Sequence, residues 1–170
     1  MPVRKIVTHP APVLRRKARK VNDFGAELQT LIDDMIDTLH DAPGVGLAAP
    51  QVDIPLRVIV VEYGDEEDPE VPPKLYSVVN PEITRAATDT EIGAEGCLSI
   101  PGFAGDVERS INVVVKGLNR RGSPIRIKAN GWLARIFQHE IDHLDGILFI
   151  DRAEKVWRLE QEDTQTVAAD

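Results

Sequence analysis

The run Gln138-His139-Glu140-Ile141-Asp142-His143 constrains this chain more than any other stretch. Residues four apart share one face of a helix, so both imidazoles can reach a single metal ion while Glu140 stays beside it. A metal ion there activates water, and the carboxylate handles the proton, which is the chemistry of a hydrolase. Many metallopeptidases share the motif. It therefore leaves the substrate open, and a catalytic site of this kind still needs a third ligand.

Trp132, Ile136, His139 and His143 recur at spacings of four, three and four, which places them on one face of a helix expected over 130–144 and ended by Gly146. A second helix is expected over 26–40, where Leu28, Leu31, Ile32, Met35, Ile36 and Leu39 form an apolar stripe. Asn22 or Asp23 is the expected cap, and Pro43-Gly44 the stop. The run 56–61 reads as a buried strand, and 76–79, 111–115 and 125–127 as further strands. Asn119-Arg120-Arg121-Gly122 reads as the hairpin turn between the last two, Gly64 to Pro73 as an exposed loop, and the segment from Gln161 as a polar tail. The expected fold is α+β: mostly antiparallel strands around the central histidine-bearing helix, in one domain spanning residues 1–170.

Composition excludes several classes. No apolar run approaches the ~20 residues that cross a bilayer, and the first residues lack the apolar core of a secretory signal. A net charge of −8 argues against nucleic acid or an anionic membrane as the main partner. The single cysteine, Cys97, allows no intrachain disulfide and suits a reducing cytoplasm. The acid-free stretch 1–20, which includes Arg15, Arg16 and Lys17, reads as a solvated basic face or arm.

Two sources compete for the third ligand. Glu154, Glu160 and Glu162 lie downstream, where a thermolysin-like site takes its glutamate; no histidine follows His143, so the longer metzincin pattern is absent. Cys97 lies in Glu95-Gly96-Cys97-Leu98-Ser99-Ile100-Pro101-Gly102, although a buried lone cysteine is more often a small hydrophobe than a ligand. A third element, Gly44-Val45-Gly46-Leu47-Ala48-Ala49-Pro50-Gln51, has the small residues of a tight turn beside a packed strand.

Taken together, these three motifs resemble those of the peptide deformylase family, in the family's order and spacing, and the likeness covers about residues 3–152. The resemblance implies removal of the formyl group from the N-terminal formyl-methionine of nascent polypeptides. It implies Cys97, His139 and His143 as ligands of one divalent metal, usually Fe(II), which zinc, nickel or cobalt can replace. It further implies Glu140 as general base and acid, Gln51 and the Leu98 N–H as oxyanion donors, and the Gly46 backbone as a partner for the peptide. Val45, Trp132 and Ile136 flank the motifs and are candidates for the methionine slot. Glu95 and Arg109 are a candidate pair holding the cysteine loop, and Asp142 or Asp145 a candidate partner for a ligand histidine. Some family members carry a long basic C-terminal helix that docks on the ribosome. The short acidic end here departs from that pattern, which leaves the N-terminal basic arm as a substitute for a transient ribosome contact. Three rival readings remain open: a metallopeptidase using a downstream glutamate, a cysteine hydrolase pairing Cys97 with His139, and a binding module that has lost turnover.

Overall fold

A computed structural model describes residues 2–64 and 70–159. Its two main helices are α1 (Ala26–Asp41) and α2 (Gly131–Leu144), with one further turn of helix, α3 (Phe149–Arg152). Five strands form one sheet in the order β1 (Gly46–Ala48), β2 (Val58–Tyr63), β3 (Lys74–Ala86), β6 (Asn112–Leu118), β7 (Pro124–Asn130). Three form another in the order β4 (Thr90–Cys97), β5 (Ile100–Ser110), β8 (Lys155–Arg158). Every neighbouring pair within the two sheets is antiparallel.

The apolar run of β2 is continuous because both faces of the strand are covered. Ile59 and Val61 point into a cluster with Ile136, Phe137, Ile141 and Leu144 of α2. Val58 and Val60 point the other way, into a cluster with Leu28, Leu31, Ile32, Met35 and Leu39 of α1. The five-stranded sheet is thus sandwiched between the two helices, and α2 fills its inner face. A third cluster joins Cys97, Ile100 and Val107 of the smaller sheet to Val13, Leu14, Leu148 and Phe149.

Several elements differ from the sequence-based expectations. Neither Asn22 nor Asp23 caps α1: the cap position is Gly25, whose N–H donates to Asp23 Oδ1 at 2.9 Å in a turn just before the helix. Strand β3 runs far beyond 76–79 because one register shift carries it past Asn80 and Pro81 and a second past Thr84. Asn80 sits in the left-handed region (φ 52°), and its side chain bonds both the N–H and the carbonyl of Val21, at 2.8 and 3.0 Å. The glycine-rich motif is a short strand followed by a 3-10 turn, Ala49–Val52. The segment expected as a cysteine loop is a long hairpin, β4–β5, that turns at Leu98-Ser99. Part of the expected exposed loop, 65–69, and the tail from 160 lie outside the described residues. Asn119 Oδ1 accepts from the N–H groups of Arg121 and Ser123, which closes the β6–β7 hairpin as expected.

The basic segment is not a free arm throughout. Arg15 ends a 3-10 turn, and its guanidinium pairs with Asp151, one bond measuring 3.1 Å, leaving Arg16 and Lys17 exposed. No helix among the described residues is long and apolar enough to cross a membrane.

The C-terminal end of α2 is clamped. The Leu144 carbonyl accepts from the Ala18 N–H at 2.8 Å and from Arg57 Nη1 at 2.9 Å. Gly146, at φ 76°, then turns the chain away, and a Cβ built there would lie 2.6 Å from the Arg15 carbonyl oxygen. At the other end of the same packing, Phe137 is fully buried and meets the Tyr76 ring edge-on, with centroids 5.4 Å apart. Phe137→Ala should cost about 3–5 kcal/mol of unfolding free energy by denaturant titration. A loss below about 1 kcal/mol would show that α2 is not held by this packing.

Candidate metal centre and active site

Cys97 closes strand β4, with Cα paired to Ile100 across the hairpin turn. His139 and His143 lie one turn apart on α2. The fold brings one ligand atom from each of these three buried residues within 4.8 Å of the others. Cys97 Sγ lies 3.5 Å from His143 Nε2. Two ligands at metal bonds of about 2.1–2.3 Å and a tetrahedral angle stand roughly 3.5 Å apart, so this spacing fits one small divalent ion. One thiolate and two imidazoles form a donor set suited to iron, zinc, nickel or cobalt.

The orientation of His139 follows from its other nitrogen. Nδ1 lies 2.8 Å from Glu95 Oε1, and an ionised carboxylate only accepts, so Nδ1 carries the hydrogen and Nε2 presents the lone pair. Glu95 is 1% exposed and must be compensated. Arg109 donates to both its oxygens at 2.9 Å, and Arg135 donates to Oε2 at 2.6 Å. Burial pushes the Glu95 carboxyl up, but hydrogen bonds from Arg109 and His139 outweigh it and hold the pKa near the bottom of its range, at about 2. The pairing of Glu95 with Arg109 is the one read from sequence. Asp142 is not a partner of a ligand histidine: it accepts from Arg109 Nη1 at 2.6 Å and from Arg152 Nε at 2.6 Å. Asp145 pairs instead with Arg57 Nη2 at 3.0 Å.

Arg135 was not singled out by sequence, although its spacing held the signal. It stands four residues before His139 on the same helical face, so both side chains converge on one carboxylate. Arg135 also donates to the carbonyls of Val107 and Glu91, at 2.8 and 2.7 Å, and lies over the Trp132 ring, 5.2 Å from its centroid.

Glu140 is fully buried. A Cβ built on Gly46 would lie 2.5 Å from Glu140 Oε2 and 2.9 Å from its Cδ, so only glycine leaves that carboxylate its place. Gln51 is fully buried in the 3-10 turn. Its Oε1 accepts from the Ala48 N–H at 2.9 Å, and its Nε2 donates to Ser99 Oγ at 3.1 Å and toward Cys97 Sγ at 3.7 Å. Leu98 forms the hairpin turn between Cys97 and Ser99. Val45, Trp132 and Ile136 all belong to the apolar cluster around α2. Val45 and Trp132 are half-buried at its margin, while Ile136 is buried within it. Glu154 is exposed and outside the ligand group; Glu160 and Glu162 lie beyond the described residues. A groove of about 600 Å³ lined by residues such as Arg4, Lys20, Leu28 and Ile54 shares none of these residues.

Residues 3–158 match the family model described as polypeptide deformylase. The chain is similar to a peptide deformylase of Natranaerobius thermophilus, 49% identical over 161 residues that cover 95% of this chain and 99% of that one. It is likewise similar to one of Halothermothrix orenii, 49% identical over 156 residues covering 92% and 97%. Among solved structures, peptide deformylase from Thermotoga maritima aligns with a TM-score of 0.84 at 40% identity, covering 91% of this chain and 100% of that one. A class I type b peptide deformylase from Acinetobacter baumannii, bound to Met-Ala-Ser, aligns with a TM-score of 0.82 at 38% identity, covering 89% and 98%. With matches of this extent around a buried cysteine–histidine–histidine cluster, the chain belongs to the polypeptide deformylase family and is an enzyme of that family.

Proposed function

We propose that this chain removes the formyl group from the N-terminal formyl-methionine of nascent polypeptides through the site built on Cys97, His139 and His143. The observation that carries the reading is the convergence of those three ligand atoms within 4.8 Å, on the helix that also bears Glu140 and the strand end beside it. These three residues would hold one divalent ion, with Fe(II) as the physiological one. Bound there, the ion would supply Lewis acidity that favours loss of a proton from water near neutral pH. Glu140 takes the proton from the attacking water and returns it to the departing amine nitrogen. Gln51 Nε2 and the Leu98 N–H donate to the formyl oxygen as it gains charge, where such donors contribute most. The reaction is assigned to the cytoplasm, where a single reduced cysteine is stable as a ligand.

Strand β1 is the edge of its sheet, so its outer side can accept an extended peptide, with Gly46 as the backbone partner. Val45, Trp132 and Ile136 form the slot for the methionine side chain. The Acinetobacter baumannii relative is bound to Met-Ala-Ser, and a site that takes a methionine-headed peptide supports this reading. The cysteine-hydrolase reading is disfavoured by the second histidine: Cys97 Sγ lies 3.5 Å from His143 Nε2, and the ligand atoms of Cys97, His139 and His143 converge within 4.8 Å, which suits one shared ion better than a nucleophile–base pair.

Protein loaded with iron or nickel without oxygen should release formate from formyl-Met-Ala-Ser, and Glu140→Ala should keep its metal while losing roughly 10²–10⁴-fold in kcat. Undiminished turnover in that variant would remove Glu140 from its role; no formate from the loaded wild type would overturn the whole reading. Gly46→Ala should displace the Glu140 carboxylate and lower kcat more than about tenfold with metal content unchanged. A wild-type kcat there would mean the carboxylate can shift at no cost.

Glu95→Gln tests the support of His139. Its folded pKa lies below its ordinary 4.5, so ionised Glu95 contributes stability that is fully present above that value and lost as the pH falls toward about 2. The full contribution is roughly 3 kcal/mol. Metal-free Glu95→Gln should therefore be markedly less stable than wild type at pH 7, with the gap narrowing in acid, and should bind metal about 10–100-fold more weakly. A gap of the same size at pH 7 and pH 3 would break this linkage.

A further inference from the structure

Gln51 and Ser99 are both fully buried, and the hydroxyl of Ser99 accepts a side-chain hydrogen bond from the Gln51 amide. The orientation of that amide is determined. The Ala48 N–H can only donate, so the atom 2.9 Å from it is the oxygen, and Nε2 faces the opposite way. Nε2 has two hydrogens and two neighbours. Ser99 Oγ, at 3.1 Å, is an ordinary acceptor at an ordinary distance; Cys97 Sγ, at 3.7 Å, is a long and weak one. One hydrogen is therefore held firmly, and the other points toward the ligand cluster, held loosely enough for a substrate oxygen to take it.

The terminal torsion of a glutamine is soft, with a broad twofold profile. Fixing it takes a contact at each end of the amide, and the two contacts here are Ala48 and Ser99. Both flanking backbones are themselves tied down. The Gln51 carbonyl accepts from the Val7 N–H, and the Ser99 carbonyl from the His9 N–H, each at 2.8 Å. The hydroxyl–amide bond thus spans two walls of the site that the N-terminal segment holds together.

We propose that Ser99 is a positioning residue for catalysis: its hydroxyl locks the rotation of the Gln51 amide, so that one N–H stays aimed at the developing oxyanion. This deepens the proposed function and rests on the role given there to Gln51. A water cannot readily take over from Oγ, because neither partner is exposed.

The test is a double-mutant cycle on the metal-loaded enzyme with Ser99→Ala, Gln51→Ala and the pair. Ser99→Ala should lower kcat about tenfold, with KM within about twofold of wild type and with metal content and melting temperature nearly unchanged. Gln51→Ala should cost on the order of 10²-fold or more, and adding Ser99→Ala to it should cost less than about twofold further. If Gln51→Ala keeps wild-type kcat, the oxyanion role itself fails and the inference falls with it. If Gln51→Ala is impaired but Ser99→Ala costs the same factor in both backgrounds, the Ser99 inference alone fails, as it does if Ser99→Ala is silent or strips the metal. Should Ser99→Ala not fold, Ser99→Cys keeps the bulk and weakens the acceptor. In the same cycle its loss of kcat should again disappear when Gln51 is alanine, and a loss that persists there overturns the inference.

Discussion

A buried carboxylate is tolerated only where donors surround it, and Glu95 receives them from three side chains on two elements. Arg109 reaches it from β5, and Arg135 and His139 from successive turns of α2, while Glu95 itself stands on β4. The smaller sheet is joined to the central helix at this point. Removing one member leaves charge uncompensated in a dry interior, which costs far more than an exposed pair would. Because His139 is one of the donors, the contact that fastens sheet to helix also sets the direction of the nitrogen it offers to the candidate metal site. Structural integrity and ligand geometry are one constraint here.

The parts of the fold that were legible in the sequence are those with a clear period. The stripe of α1, the double-sided run of β2 and the face of α2 each follow from spacing alone, because each buries a regular surface. The β4–β5 hairpin reads as a loop in the sequence. Its strands carry Gly93, Gly96, Gly102 and Gly105 and bury Glu95 and Arg109, so the apolar alternation that marks a strand is missing. The bulges in β3 go with a distant partner, since Asn80 bonds Val21, and no local pattern displays it.

The candidate site divides in the same way. His139, Glu140 and His143 share a helix, and their convergence is written in the four-residue spacing. Cys97 and Gln51 lie more than forty residues away in the chain, and chemistry alone left Cys97 ambiguous; family resemblance singled them out. The partner of His139 shows the limit of reasoning from proximity. Asp142, one helical turn away, was a natural candidate, yet it serves two arginines, and the carboxylate that reaches the imidazole comes across the interface from β4.

Helix ends ordinarily fray, because their last carbonyls lack partners within the helix. His143 sits in the final turn of α2, where such fraying would carry it away from Cys97 and His139. The Leu144 carbonyl instead takes donors from both Ala18 and Arg57, and Arg57 also holds Asp145 just beyond the helix. Opening that turn means detaching it from the segment before α1 and from the approach to β2 together. Local opening of that turn therefore costs more than fraying at an unclamped helix end, and His143 is kept beside Cys97.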